Sequence, residues 1–328
     1  MDTEITITRS NPHIDPNLTI WGWEIPGYLF LGGLTAGILI LSGIFYLMKR
    51  DKELPFTVRT APIFAPIFLS IGMLFLFLDL EHKLYVWRLY LTFKWTSPMS
   101  WGSWALILMF PSSILFALMQ LEEENRQMLK NFFENLSPLR FVAGLLSKAF
   151  DLAERIKPYG KIIAWVNIVM GGFIGIYTGI LISSFVARPF WNTSALGLLF
   201  LTSGISSASA FMILGSRNEI EKRLMIKIDV GFLVTELLIL IQIFIGFFTS
   251  SAYHNNAGKL IFGGDFTGYF WMLVILQGIL FPLFLEALEL KKIFHFRILT
   301  PLSVLFGGLL LRILFVYIGQ HSYIGLHL

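Results

Sequence analysis

Apolar residues fall into eight long runs separated by polar stretches, and within the runs apolar and polar positions do not alternate. Each run is long enough to cross about 30 Å of hydrocarbon as a helix. They predict spans near Ile25–Met48, Ile63–Leu80, Trp101–Leu121, Ile162–Phe185, Leu196–Leu214, Ile228–Phe248, Gly268–Leu288 and Ile298–Ile318. A membrane β-barrel would need two-residue alternation, so the expected fold is all-α and integral to the membrane. One interval is long, about 122–161, and reads LEEENRQMLKNFFENL followed by LRFVAGLLSKAFDLAERI. Its pattern predicts two amphipathic helices lying on the membrane surface.

An even number of spans places both termini on one side. The loops between spans 1–2, 3–4, 5–6 and 7–8 carry eighteen Lys and Arg. The other side carries six: Arg9, Lys83, Arg88, Lys94, Arg188 and Lys259. The positive-inside rule therefore predicts termini in the periplasm and the 122–161 loop in the cytoplasm, for a protein of a bacterial or archaeal cytoplasmic membrane. The N-terminal MDTEITITRSNPHIDPNLTI lacks the basic and apolar regions of a cleaved signal, so span 1 is expected to direct insertion.

Composition agrees with a lipid solvent. Hydrophobic residues are 55% of the sequence and charged residues 14%, against about 25% charged in soluble domains. The net charge of +4 follows the orientation bias and points to no nucleic-acid partner. There are no cysteines, so disulfides, thiolate zinc sites and iron–sulfur clusters held by this polypeptide are excluded. The six histidines, at 13, 82, 254, 295, 321 and 327, lie in tails, loops or helix ends, which argues against a haem in the bundle. His82, His254 and His321 share the outer side and could meet there, against the plainer reading of solvated loop residues. Gly33 and Gly37, Gly171, Gly175 and Gly179, and the serines from Ser203 to Ser209 recur at spacings that let helices pack closely.

An ionisable group inside a span costs a few kcal/mol unless it is paired or faces water. Glu24 opens span 1 and Asp79 closes span 2. Asp229 and Glu236 share a face of span 6, and Arg312 lies in span 8. Glu286, near the inner end of span 7, is explained by snorkelling. Glu236 should lie roughly 12 Å and Arg312 roughly 18 Å from the inner surface. They read either as a buried structural ion pair or, with Asp229, as a proton path. On the outer side Glu24 and Tyr28 share a face of span 1, and Tyr177 lies in the outer half of span 4. Hydroxyls and a carboxylate beside apolar surface suit a quinone, if spans 1 and 4 are neighbours. Interfacial tyrosines are otherwise aromatic anchors.

Four stretches resemble the NrfD/PsrC family of membrane subunits from polysulfide-reductase-type complexes. They are WGWEIPGYLFLGGLTAG (21–37), LDL with SPMSWGSW (78–80 and 97–104), GIYTGILISSFVARPFWNTSALGLLFLTSGISSASA (175–210) and GGLLLRILFVYIGQ (307–320). The resemblance implies a single domain over 1–328, with eight helices largely in two four-helix bundles and no haem. It implies menaquinone or another quinone bound near the periplasmic face. It also implies two periplasmic partners: a ferredoxin-like subunit with four iron–sulfur clusters and a molybdopterin catalytic subunit. Carried over position by position, it assigns Glu24, Tyr28, Asp79 and Tyr177 to the quinone site, together with Arg188 of ARPFW and Gln320 after Arg312. Many members continue LDL with Gly-Arg-Pro, whereas Glu81, His82 and Lys83 follow here. Lys83 would replace that arginine as a point charge only.

These readings converge on a quinone-reactive subunit of a multi-subunit oxidoreductase. Glu24, Asp79 and His82 are the expected proton acceptors, and Tyr28, Tyr177, Arg188 and Gln320 the quinone-binding residues. A second reading adds proton translocation through Asp229, Glu236 and Arg312. A third, an independent transporter, is disfavoured because no span is broken into half-helices. A lipid-embedded anchor without redox chemistry is the remaining alternative.

Overall fold

The computed structural model describes residues 21–121, 123–135, 140–293 and 298–322. Those residues are helical without strands, and eight of their helices are long and apolar enough to cross a bilayer. Span 1 is Glu24–Leu47, span 2 Phe56–Asp79, span 3 Pro98–Gln120, span 4 Gly160–Ser183, span 5 Leu196–Gly215, span 6 Glu219–Thr249, span 7 Thr267–Leu290 and span 8 Leu299–His321. Span 1 packs against spans 2, 4, 5 and 8, and span 5 against spans 4, 6 and 8. Small residues permit this. A Cβ on Gly37 would strike the Gly204 carbonyl and Ala208 of span 5, and one on Gly179 the backbone at Gly197.

Two spans begin earlier than the apolar pattern indicates. Span 2 starts with a π-helical turn, Phe56–Thr60, seven residues before Ile63. The buried Glu221 of span 6 closes that turn: its carboxylate accepts from Thr57 N at 2.7 Å, Phe56 N at 3.4 Å and Ser216 Oγ at 2.7 Å. A carboxylate from a distant part of the sequence thus satisfies N–H groups that a helix start leaves free. Arg59 reaches back to Asp51 at 2.9 Å. Span 6 starts at an Asn218 cap whose side chain accepts from Ile220 N at 3.0 Å. Its 31 residues extend about 46 Å, so with Thr249 at one membrane edge the other edge falls near Asp229.

Span 7 is wound as a π-helix over Phe270–Leu280 before Pro282. The wider turn brings Gly278 against the Gly307 backbone of span 8. The long loop forms two helices, Glu123–Asn135 and Arg140–Ile156. Buried Arg126 pins them together through Glu154 at 2.7 Å and the Phe150 ring at 5.6 Å. It also donates to the Leu118 carbonyl at the base of span 3, at 3.2 Å.

The two ends of the described polypeptide meet on one face. Gln320 accepts from Trp21 N at 2.9 Å and donates to the Trp21 carbonyl at 3.0 Å, while Trp21 stacks on Trp191. This termini face carries one polar constellation, and a second runs through the core toward the opposite face, which bears the long loop.

Candidate functional site

On the termini face spans 1 and 4 are neighbours, the condition the sequence left open. Tyr28 and Tyr177 are 5% and 6% exposed, and their hydroxyls are electrostatic neighbours. Tyr177 lies against Gly102 of span 3, where any Cβ would overlap its ring and hydroxyl. Tyr28 packs on Gly72 of span 2. Beside Tyr177 is a cavity of about 370 Å³, lined by Trp95, Pro98, Trp101, Phe173 and Ile180 among others. Its walls are almost wholly apolar, Phe173 stacks on Tyr177, and Trp101 is held by the Trp95 carbonyl at 2.9 Å. An apolar slot of this volume, with Tyr177 and Thr96 as its hydroxyl-bearing wall residues, is within the size range of small-molecule sites.

A polar group lies on the same face. Asp79 has Glu24 and Lys83 as its charged neighbours. His82 is exposed, lies edge-on to Tyr85, and lines a second cavity of about 480 Å³ with Glu81, Arg88 and Lys94. Arg88 stacks on Tyr85 at 4.4 Å. Tyr90, on the same loop, is an electrostatic neighbour of Tyr28, and burial raises its hydroxyl above the usual value. The other outer histidines sit apart. His254 bridges Ser251 and the Asn192 carbonyl, and His321 packs on Phe266.

Arg188 and Gln320 stand together in the latch that joins the two ends of the described polypeptide. Arg188 donates to the Gln320 and Ser322 carbonyls, and Gln320 holds Trp21. Burial pulls the Arg188 guanidinium below its usual value. The next residues along complete the latch: Phe190 N donates to Ser322 Oγ at 3.2 Å and Trp191 Nε1 to the Phe315 carbonyl at 2.7 Å.

The second constellation runs through the core. Arg312 is fully buried and donates to Ser203 Oγ at 2.9 Å and to the carbonyls of Gly308 at 2.7 Å, Phe200 at 3.1 Å and Leu29 at 3.3 Å. Its charge is held mainly by backbone dipoles. Glu236, 4% exposed, does not touch it within salt-bridge distance; Ser203 lies between the two. Seven residues toward the opposite face, buried Asp229 accepts from Ser206 Oγ. Glu286 departs from expectation. It is 0% exposed, not snorkelling, because its face of span 7 turns toward span 6 and meets Asp229.

The sequence reading did not single out Tyr90, Gly102, Trp95, Trp101 or Glu221. The clearest signal for any of them was the SPMSWGSW segment, whose glycine stands between two tryptophans as span 3 begins.

A family model described as polysulphide reductase, NrfD matches residues 12–323. The sequence is 29% identical to a polysulfide reductase polypeptide of Wolinella succinogenes over 317 residues, covering 93% of this protein and 95% of that one. It is 28% identical to the NrfD homolog of Haemophilus influenzae over 331 residues, covering 96% and 99%. It is 25% identical to a selenate reductase subunit of Mesobacillus selenatarsenatis over 328 residues, covering 92% and 75%.

Proposed function

This chain belongs to the NrfD family, and from that premise we propose that it is the quinone-reactive membrane subunit of a respiratory reductase complex, with its termini face in the periplasm. The observation that carries the reading is buried Tyr177 at the wall of the apolar slot on that face, with buried Tyr28 as its electrostatic neighbour. A quinol such as menaquinol supplies two electrons and two protons. The aromatic walls hold its ring and exclude water, and the Tyr177 hydroxyl bonds a ring oxygen with Tyr28 behind it. Glu24, Asp79 and His82 offer a path for protons toward the surface. Electrons leave one at a time to an iron–sulfur subunit on the termini face, which serves a molybdopterin catalytic subunit. The exposed Leu84, Trp87 and Leu91 of the loop above the slot support docking there. Related complexes are named for polysulfide and selenate reduction, and the proposed acceptor is polysulfide or an oxyanion. The test is quinol oxidation by the assembled complex. Tyr177→Phe and Glu24→Gln should each lower turnover at least tenfold while the complex still assembles. Unchanged turnover in both removes these residues from the site.

A second reading, proton translocation coupled to turnover, is favoured by one observation: Asp229, Glu236 and Arg312 are buried in series with Ser206 and Ser203 beside them. Glu236→Gln in proteoliposomes should reduce proton uptake from the opposite face. Retention of both uptake and turnover would leave Glu236 a structural residue.

A further inference from the structure

Asp229 and Glu286 come from different spans and meet where no solvent reaches either. Asp229 Oδ1 is bonded by Ser206 Oγ, but Asp229 Oδ2 and both Glu286 oxygens have no N–H or O–H donor. The two carboxyl groups are electrostatic neighbours across spans 6 and 7. Two facing carboxylates are both acceptors, so a hydrogen bond between them needs a proton on one. Their charged surroundings give no relief. Glu236 on span 6 and Glu289 on span 7 are both acidic. Span 5 contributes Ser206, and span 8 carries no charge between Leu299 and Leu311. Lys222, the nearest lysine toward the surface on this face of span 6, is turned to Glu219 at 3.1 Å. Among the described residues no Lys or Arg balances the pair. Two ionised carboxylates as neighbours, buried and without a cation, are too costly to persist.

Directly toward the opposite face is a charged vestibule of about 410 Å³, lined by Glu219, Lys222, Arg223, Ile226, Glu289 and Lys292. Ile226 is three residues before Asp229 on span 6, and Glu289 three after Glu286 on span 7. Each acid therefore lies one turn deeper than a lining residue, on the same helical face.

We infer that Asp229 and Glu286 form a proton-binding site, sharing one exchangeable proton that equilibrates with water on the opposite face through this vestibule. Its use in turnover rests on the coupled reading above. Its existence does not, because the proton can be observed without any quinone.

The experiment is infrared difference spectroscopy of the full-length protein in proteoliposomes. A protonated carboxyl carbonyl band that shifts on exchange into D2O is expected in the wild type. It should be lost in Glu286→Gln and in Asp229→Asn and kept in Glu286→Asp. It should also respond to pH on the opposite face and not to pH on the termini face. A wild type without such a band, a band unchanged in both amide variants, or a response to the termini face alone would overturn the inference. If Glu286→Gln does not fold, Asp229→Asn carries the test.

Discussion

The two polar constellations obey different physical rules. On the termini face the polar groups sit at helix ends and on a loop, among aromatic side chains and beside open volume. Glu24 is at the start of span 1, where the helix dipole favours its charge, and remains partly exposed. In the core the charges lie inside helices, buried, with backbone carbonyls and serines among their partners. The first region can lose a polar group without stranding another. The second cannot lose a member without stranding the rest. Residue type alone does not separate them, since a glutamate serves in each.

Four substitutions test this contrast. The largest effect should come from Arg312→Met, which removes the donor to Ser203 Oγ and the cation nearest buried Glu236. A loss of about 3–5 kcal/mol is expected, read from thermal unfolding in detergent. A variant as stable as wild type would break the contrast. Gln320→Ala removes two bonds to the Trp21 backbone and should lower stability by about 1–3 kcal/mol, with earlier proteolysis at the two ends of the polypeptide. Gly102→Ala should displace Tyr177 and reduce quinol oxidation about tenfold, equivalent to about 1.4 kcal/mol, with assembly unaffected. Equal turnover would mean that Tyr177 is not at the reacting group. The smallest effect belongs to Asp51→Asn. The hydrogen bond from Arg59 holds the Asp51 carboxyl below its usual range. Its contribution is therefore present above about pH 4 and lost as the pH falls further. Because both partners are 37% exposed, it should stay under about 1 kcal/mol, and the variant and wild type should converge in acid.

Much of this architecture is legible in the sequence because lipid leaves few options. Continuous apolar runs become helices, and the eight spans appear where those runs lie. The misplaced starts share one cause. Span 2 opens on a turn closed by Glu221, more than 160 residues away, and span 6 opens in a charged segment that a hydropathy pattern assigns to a loop. Tyr28 and Tyr177 were legible as hydroxyls on outer helix halves, but their adjacency depended on packing between spans 1 and 4. Glu286 was misread because distance from the end of an apolar run fixes depth, while helical phase decides whether a side chain meets headgroups or another helix. Arg188 and Gln320 were placed by resemblance, and the latch described above ties both to the protein's own backbone.

The clasp between Trp21 and Gln320 has a topological consequence. The described polypeptide, from Trp21 to Ser322, closes on itself as a ring whose seam lies on one face of the bundle. A short flexible linker from Ser322 to Trp21, with new ends cut between the two helices of the long loop, gives a circular permutant in which no span reverses direction. Its new ends emerge on the face opposite the Trp21–Gln320 clasp, where a fused reporter reads out orientation directly.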